Sequence, residues 1–217
     1  MAEADGIEHI IATPHANDRY TYDRQLLVER LQKLSKICSG RLSFSLGCDF
    51  HLSYENWQEL KIKPEKYLIE GTRYLLVELS NYSISPQIDE CLDDLIRNGI
   101  TPIITHPERN PILQRTPERV LQWVEQGAAV QVTASVLTGS WGERNWKSAE
   151  WLLKRNAVHV IASDAHDAKH RIPILSAARE AVADSFGADL AHALVEENPR
   201  AIVQNKELPF FPSPERV

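Results

Sequence analysis

Residues 101–109 read TPIITHPER, and this stretch decides the fold. An apolar, β-branched run from Thr101 to Thr105 stops at once on an imidazole, a proline, an acid and a guanidinium. A buried parallel strand that runs into a chemistry-bearing loop is written in this way. Just upstream, Asn98-Gly99 supplies the glycine expected after a helix, and downstream Pro117 sits where the next helix can begin.

The same unit recurs outward in both directions. Further strands are predicted at 7–13, 42–48, 73–79, 128–133 and 158–163, and apolar residues at i, i+3, i+4 predict helices at 23–37, 88–98, 117–126 and 144–155. Gln126-Gly127 repeats the glycine stop, and Pro173 is another site where a helix can open. Strands and helices in alternation imply an α/β fold, a parallel sheet or barrel with right-handed crossovers.

The chain has 217 residues, enough to bury one sizeable core, and no linker divides it, so 1–217 reads as a single domain. A hydrophobic fraction of 43% with 25% charged residues excludes disorder as the main state. The 24 Lys+Arg against 30 Asp+Glu leave a net charge of −6, which argues against nucleic acid as partner. No run of 18 apolar residues exists to span a membrane. Cys38, Cys48 and Cys91 are odd in number, far apart and without a CxxC pair; with no signal peptide visible, the expected compartment is the cytoplasm. The Pro-rich tail 209–217 reads as a surface strap or frayed end. Residues 1–5 read as the last turn of a helix closed by Gly6, and one turn does not nucleate alone. The expectation is that an element upstream is missing.

Chemistry gathers behind the strands. Thr13-Pro14-His15 follows the first, Cys48-Asp49-Phe50-His51 the second; Glu78 lies near the end of the third, His106-Pro107-Glu108-Arg109 follows the fourth, and Asp164-Ala165-His166 the last. In a parallel α/β barrel, residues at the carboxyl ends of different strands converge on one mouth. Imidazoles and carboxylates without a thiolate make a nitrogen and oxygen site for divalent manganese, iron or zinc. Such ions lower the pKa of bound water to about 7 and polarise a phosphoryl oxygen, and Arg109 offers a planar fork of donors to phosphate. The combination reads as metal-assisted hydrolysis of a phosphate ester.

Each residue has a plainer reading. Any single histidine is more often a surface or satisfied core residue; His9 and His159 are assigned to strand faces, His192 to a solvent-facing helix, and His51 is as well explained as a loop residue as a ligand. Asp49 alone reads as a helix cap and Glu78 as a surface strand residue. Five such groups at five strand ends are harder to explain away. Cys91 to Arg97 fits the CxxxxxR spacing of thiol phosphatases, but the intervening residues hold two acids and no glycine to cradle a phosphate. Cys91 is therefore expected inside a helix.

With IIATPH (His15), GCDF (Asp49), LLVELS (Glu78), GITPIITHPERN (His106, Arg109) and HVIASDAH (Asp164, His166), the chain resembles the bacterial PHP-type (polymerase and histidinol phosphatase) tyrosine phosphatases of capsular and exopolysaccharide loci, from about Gly6 to Arg200. The resemblance implies a distorted (β/α)7 TIM-like barrel with a site of two to three divalent ions, usually manganese. By it, His15, Asp49, Glu78, His106, Asp164 and His166 are the metal ligands, Arg109 grips the substrate phosphate, and Arg171, in DAKHRIP, is a weaker candidate for the same task. It also implies hydrolysis by metal-bound hydroxide, with the phosphotyrosine tail of a tyrosine autokinase as partner; oligomerisation is left open. Many relatives carry Glu where this chain has Asp49. The family opens with a His-x-His strand that these residues do not contain, so the six visible strands would be its second to seventh, and the polypeptide as written is expected to be weakly stable and weakly active. Two alternatives stand beside the phosphatase: a small-molecule phosphoesterase of histidinol-phosphatase type, and a non-catalytic module that binds metal and phosphopeptide.

Overall fold

All six apolar runs form strands, and every pairing between neighbours is parallel. The computed structural model describes residues 1–17, 19–38 and 40–215. Two runs are interrupted: the first gives β1 (His9–Ala12) and β2 (His15–Ala16), the second β3 (Ser43–Leu46) and β4 (Asp49–His51). β1 pairs with β3 and β2 with β4, so the ladder is broken and then resumed. The Gly47 amide donates to the Ala12 carbonyl (2.8 Å) and the Asp49 amide to that of Pro14 (3.2 Å), carrying the pairing over the break. At Gly47 a Cβ would lie 3.1 Å from Ile69 and 3.2 Å from both Ile11 and Thr13, so only glycine fits this crossing without displacement.

β5 (Tyr74–Glu78), β6 (Thr101–Thr105), β7 (Ala129–Thr133) and β8 (Val160–Ala162) complete the larger sheet in the order β2-β4-β5-β6-β7-β8. Between the strands run α1 (Arg24–Ile37), α2 (Tyr54–Ile62), α3 (Gln87–Arg97), α4 (Glu118–Gln126), α5 (Ala134–Leu137) and α6 (Glu143–Leu153); α7 (Ser176–Phe186), α8 (Ala188–His192) and α9 (Asn198–Val203) follow β8. Parallel pairs need such crossovers. Gly127 ends α4 in the left-handed conformation the sequence implied, with φ +112°. Cys91 is wholly buried in α3 and its thiol is pushed up to about 11 by desolvation, so it is a packing residue.

Alternation along the strands separates two faces. Leu75, Val77, Ile104, Val130, Val132 and Ile161 belong to the main core, packed with Leu92, Leu95, Trp123, Val124, Leu152 and Leu153 of the helices. On the other face, Tyr74, Leu76, Ile103, Ala129 and Val160 form a smaller cluster with Ile69 and Ile202. The same phase continues through Glu78, Thr105, Gln131 and Thr133, so this face changes from apolar to polar toward the carboxyl ends of the strands. The site is built on that polar half.

One helix was not expected at all, and one helix start was not as expected. α2, absent from the sequence reading, is capped by Ser53, whose hydroxyl accepts from the Asn56 amide (3.2 Å). α7 opens at Ser176 rather than at Pro173, because the carboxylate of Asp5 accepts from the Leu175 amide (2.6 Å) and from the Ser176 amide (3.2 Å). Asp5 ends a 3-10 turn, Glu3–Asp5, which Gly6 closes at φ +84°. The tail does act as a strap as far as it is described, with residues 216 and 217 lying outside: the Phe211 ring stacks on His159 with centroids 4.3 Å apart, and the Glu215 amide donates to the Arg155 carbonyl (2.9 Å).

Candidate metal centre

Register brings the chemistry-bearing residues side by side. His15 is the partner of Asp49, and His51 of Glu78, on strands spaced about 4.8 Å apart. Two residues apart on β4, Asp49 and His51 project from one face. His15 Nδ1 lies 3.3 Å from Asp49 Oδ2 and 3.3 Å from Glu78 Oε2. His106 Nε2 lies 3.6 Å from Asp49 Oδ2 and 3.9 Å from Glu78 Oε1, and His51 Nδ1 is 3.8 Å from Glu78 Oε2. One donor atom from each of His15, Asp49 and Glu78 fits within a common 4.8 Å.

These atoms attract one another without closing proper hydrogen bonds: His15 Nδ1 is buried and has no well-aligned partner. A buried nitrogen left between two carboxylates is what a cation would relieve, so the donor set fits a divalent ion. The electrostatics agree. The Glu78 carboxylate raises the pKa of His15 most, with Asp49 and Asp164 adding, and together these outweigh burial. Desolvation is the largest single influence on Glu78 and raises it, yet His15, His51 and His106 together hold its carboxyl well below the usual range. The cluster thus favours charge separation in a confined space, and a metal ion can take the place of the shared proton. Thr105 Oγ1 donates to Asp49 Oδ1 (3.0 Å) and fixes the carboxylate from behind.

The remaining predicted residues form a second group at the same mouth. Asp164 Oδ2 accepts from Arg109 Nη2 (2.7 Å) and from Arg171 Nη2. His166 Nδ1 lies 3.0 Å from the Asp164 carbonyl, and its ring is 6.1 Å from that of His15, centroid to centroid. His106 and Asp164 both adopt positive φ, +39° and +49°. Positive φ is uncommon outside glycine, though Asp and His adopt it more readily than most residues, and backbone held there concentrates at functional sites.

All eight predicted residues are therefore in one region, four as an interlocked cluster and four around Asp164. His51, which the sequence left open, stands in the first group. Its signal was its position two residues after Asp49 on a strand. Trp141 was missed: its ring lies 4.5 Å from Arg109 Cζ and 5.6 Å from Arg171 Cζ. Nothing in its local sequence marks it. The arrangement can hold cations in a nitrogen and oxygen cage beside two guanidiniums suited to phosphate.

Comparison with known proteins gives the same direction. The chain is 27% identical over 210 residues to "Tyrosine-protein phosphatase CpsB" of Streptococcus pneumoniae, covering 93% of this chain and 86% of that protein. It is 30% identical over 211 residues to "Tyrosine-protein phosphatase YwqE" of Bacillus subtilis (strain 168), covering 95% and 82%. To "Putative tyrosine-protein phosphatase CapC" of Staphylococcus aureus it is 30% identical over 175 residues, covering 79% and 68%. A solved structure from work on YwqE and CpsB as "unique metal-dependent tyrosine phosphatases" superposes with a TM-score of 0.91 at 30% identity, covering all of this chain and 90% of that one. The family profile described as "Capsular polysaccharide synthesis, CpsB/CapC" takes in residues 1–204, and with them every strand, both site clusters and all the helices, so the chain belongs to that family.

Proposed function

We propose that this chain is a metal-dependent protein-tyrosine phosphatase acting on the phosphotyrosine tail of a tyrosine autokinase of polysaccharide assembly, in the cytoplasm. The relatives' names support the phosphatase class, and the free Cys38, Cys48 and Cys91 accord with a reducing compartment. The observation that carries the reading is the convergence of Arg109 and Arg171 on Asp164, directly beside the His15–Asp49–Glu78–His106 cluster.

His15, Asp49, Glu78, His106, Asp164 and His166, joined by His51, are the residues that would hold two to three divalent ions, with manganese the first choice and iron or zinc compatible. The neighbouring Cys48 thiol is pushed far up by burial, so it offers no thiolate. Bound ions would supply a water of lowered pKa and Lewis acidity toward the phosphoryl oxygens. Arg109 and Arg171 donate to the equatorial oxygens and neutralise charge there, the main demand of phosphoryl transfer. Tyrosinate, with a conjugate-acid pKa of about 10, leaves readily. The strands are read as the wall of a distorted (β/α)7 barrel within a single domain. This is supported by the short distance between His15, at one end of the sheet order, and His166, just beyond β8 at the other.

Manganese-supplied protein should dephosphorylate a phosphotyrosyl peptide well ahead of histidinol phosphate. His106→Ala should abolish turnover while leaving peptide binding through Arg109. A preference for histidinol phosphate would favour the small-molecule phosphoesterase; full turnover by the His106 variant would remove the metal reading.

A further inference from the structure

The two guanidiniums pose a problem that the fold has to solve. Arg109 and Arg171 are like charges on different loops, brought together by a shared carboxylate oxygen of Asp164. If Asp164 binds a metal ion, as proposed above, that oxygen no longer compensates them. Among the described residues, one other side chain contacts both: Trp141, with ring centroid 4.5 Å from Arg109 Cζ and 5.6 Å from Arg171 Cζ. Guanidinium planes stack well on indole, and the attraction does not depend on Asp164.

Trp141 is itself held. Its Nε1 donates to Ser135 Oγ (2.8 Å), and its carbonyl accepts from Asn145 Nδ2 (2.8 Å). Gln114 Nε2 lies 2.6 Å from Asn145 Oδ1 and 2.6 Å from the Glu108 carbonyl, tying the tryptophan segment to the turn that carries His106 and Arg109. Gly139 and Gly142, at φ +85° and +80°, let the short connection between α5 and α6 turn tightly on either side of the indole. With 36% of its surface exposed, Trp141 is neither a core residue nor a free one.

We propose that Trp141 is a positioning residue of the phosphatase site, an indole platform that keeps Arg109 and Arg171 paired for a phosphoryl group when Asp164 is engaged elsewhere. It acts through the two arginines and leaves metal loading to other residues. The inference rests on the phosphatase reading, and the test separates the two.

The experiment compares wild type, Trp141→Leu and Trp141→Phe, all supplied with manganese. Readouts are the Kd for inorganic phosphate by calorimetry, KM and kcat for a phosphotyrosyl peptide, metal content and Tm. Leu should raise both the phosphate Kd and KM about tenfold, the loss of two partly exposed cation–π contacts. It should leave kcat within about threefold, because both arginines remain and are ordered again once a phosphoryl group sits between them, so the lost preorganisation falls on binding. Metal content and Tm should hold, and Phe, which keeps a π face, should recover most of the affinity. Ser135→Ala, which frees the indole Nε1, should weaken phosphate about threefold and decides the matter if the Leu variant fails to fold. Phosphate binding by Leu as tight as wild type, or by Phe as weak as Leu, would overturn the proposal, as would a wild type that binds no phosphate. A wild type that binds phosphate but hydrolyses no phosphotyrosyl peptide would sink the phosphatase reading alone, and the phosphate series would still judge Trp141.

Discussion

His159 stands just ahead of β8, wholly buried, with its ring stacked on Phe211 and its Nδ1 accepting the Val130 amide (3.1 Å). An accepting Nδ1 puts the proton of the neutral ring on Nε2, which is buried without a partner. Desolvation alone carries its pKa from 6.5 down to about 3. The folded state therefore resists protonation, and the unfolded chain takes up the proton first as the pH falls. This contribution to stability is complete above pH 6.5 and is lost on descent toward pH 3, at about 1.4 kcal/mol per pH unit. Between pH 7 and 5 the loss amounts to about 2 kcal/mol, a large share of a typical domain's stability. Other groups titrate in the same window; His15, with its pKa raised, works in the opposite sense. The clean quantity is accordingly the stability gap between wild type and His159→Asn, whose side-chain oxygen can still accept from Val130. The variant should be less stable at pH 7 by about 1–3 kcal/mol for the lost ring packing. Urea unfolding followed by tryptophan fluorescence should show the gap narrowing by about 2 kcal/mol at pH 5. An equal gap at both pH values would refute the desolvation argument.

Thr105→Val removes the hydroxyl behind Asp49; we expect metal affinity, measured by competition with a chelator, to fall about 10- to 100-fold with little change in Tm. Unchanged affinity would mean that Asp49 needs no support from β6. Asn198→Ala should do the reverse. The Asn198 amide is fully buried and joins the His159 carbonyl (2.8 Å), the Phe210 carbonyl (2.7 Å) and the Phe210 amide (3.0 Å). Its loss should lower stability by about 2–4 kcal/mol in denaturant titration while metal content stays at the wild-type value.

The six strand-forming runs, and most of the polar residues that the fold gathers at one mouth, were readable because both signals are local; Arg171 was named only through the family resemblance. Alternation and apolar runs mark a strand wherever it ends up, and Asp49 or His106 declares itself by standing directly after one. What was not readable depended on partners distant in sequence. The runs at 7–13 and 42–48 looked finished at Thr13 and Cys48, yet pairing resumes as β2 and β4 because Ala12 and Pro14 present carbonyls to Gly47 and Asp49. That resumption puts His15 and Asp49 on strands instead of loops and aligns them in register. It also places His51 opposite Glu78, where the sequence could not choose between ligand and bystander. The start of α7 depends on Asp5, 170 residues away from the Leu175 amide it accepts from. Trp141 acquires its meaning only when two arginines from separate loops meet above it.

One strand face links these observations. Tyr74 and Leu76 anchor its apolar half, and two residues further along the same phase is Glu78. The same alternation that buries the core therefore aims the carboxylates, since a shift of β5 by one residue would exchange both sets at once. What the sheet does not supply is the direction of the residues beyond its end. At His106 and Asp164 the chain leaves the strand in a left-handed turn that neither residue adopts by preference. Those turns are where the fold accepts local strain, and each delivers one member of the site: an imidazole to the Asp49–Glu78 pair, and a carboxylate to the two arginines.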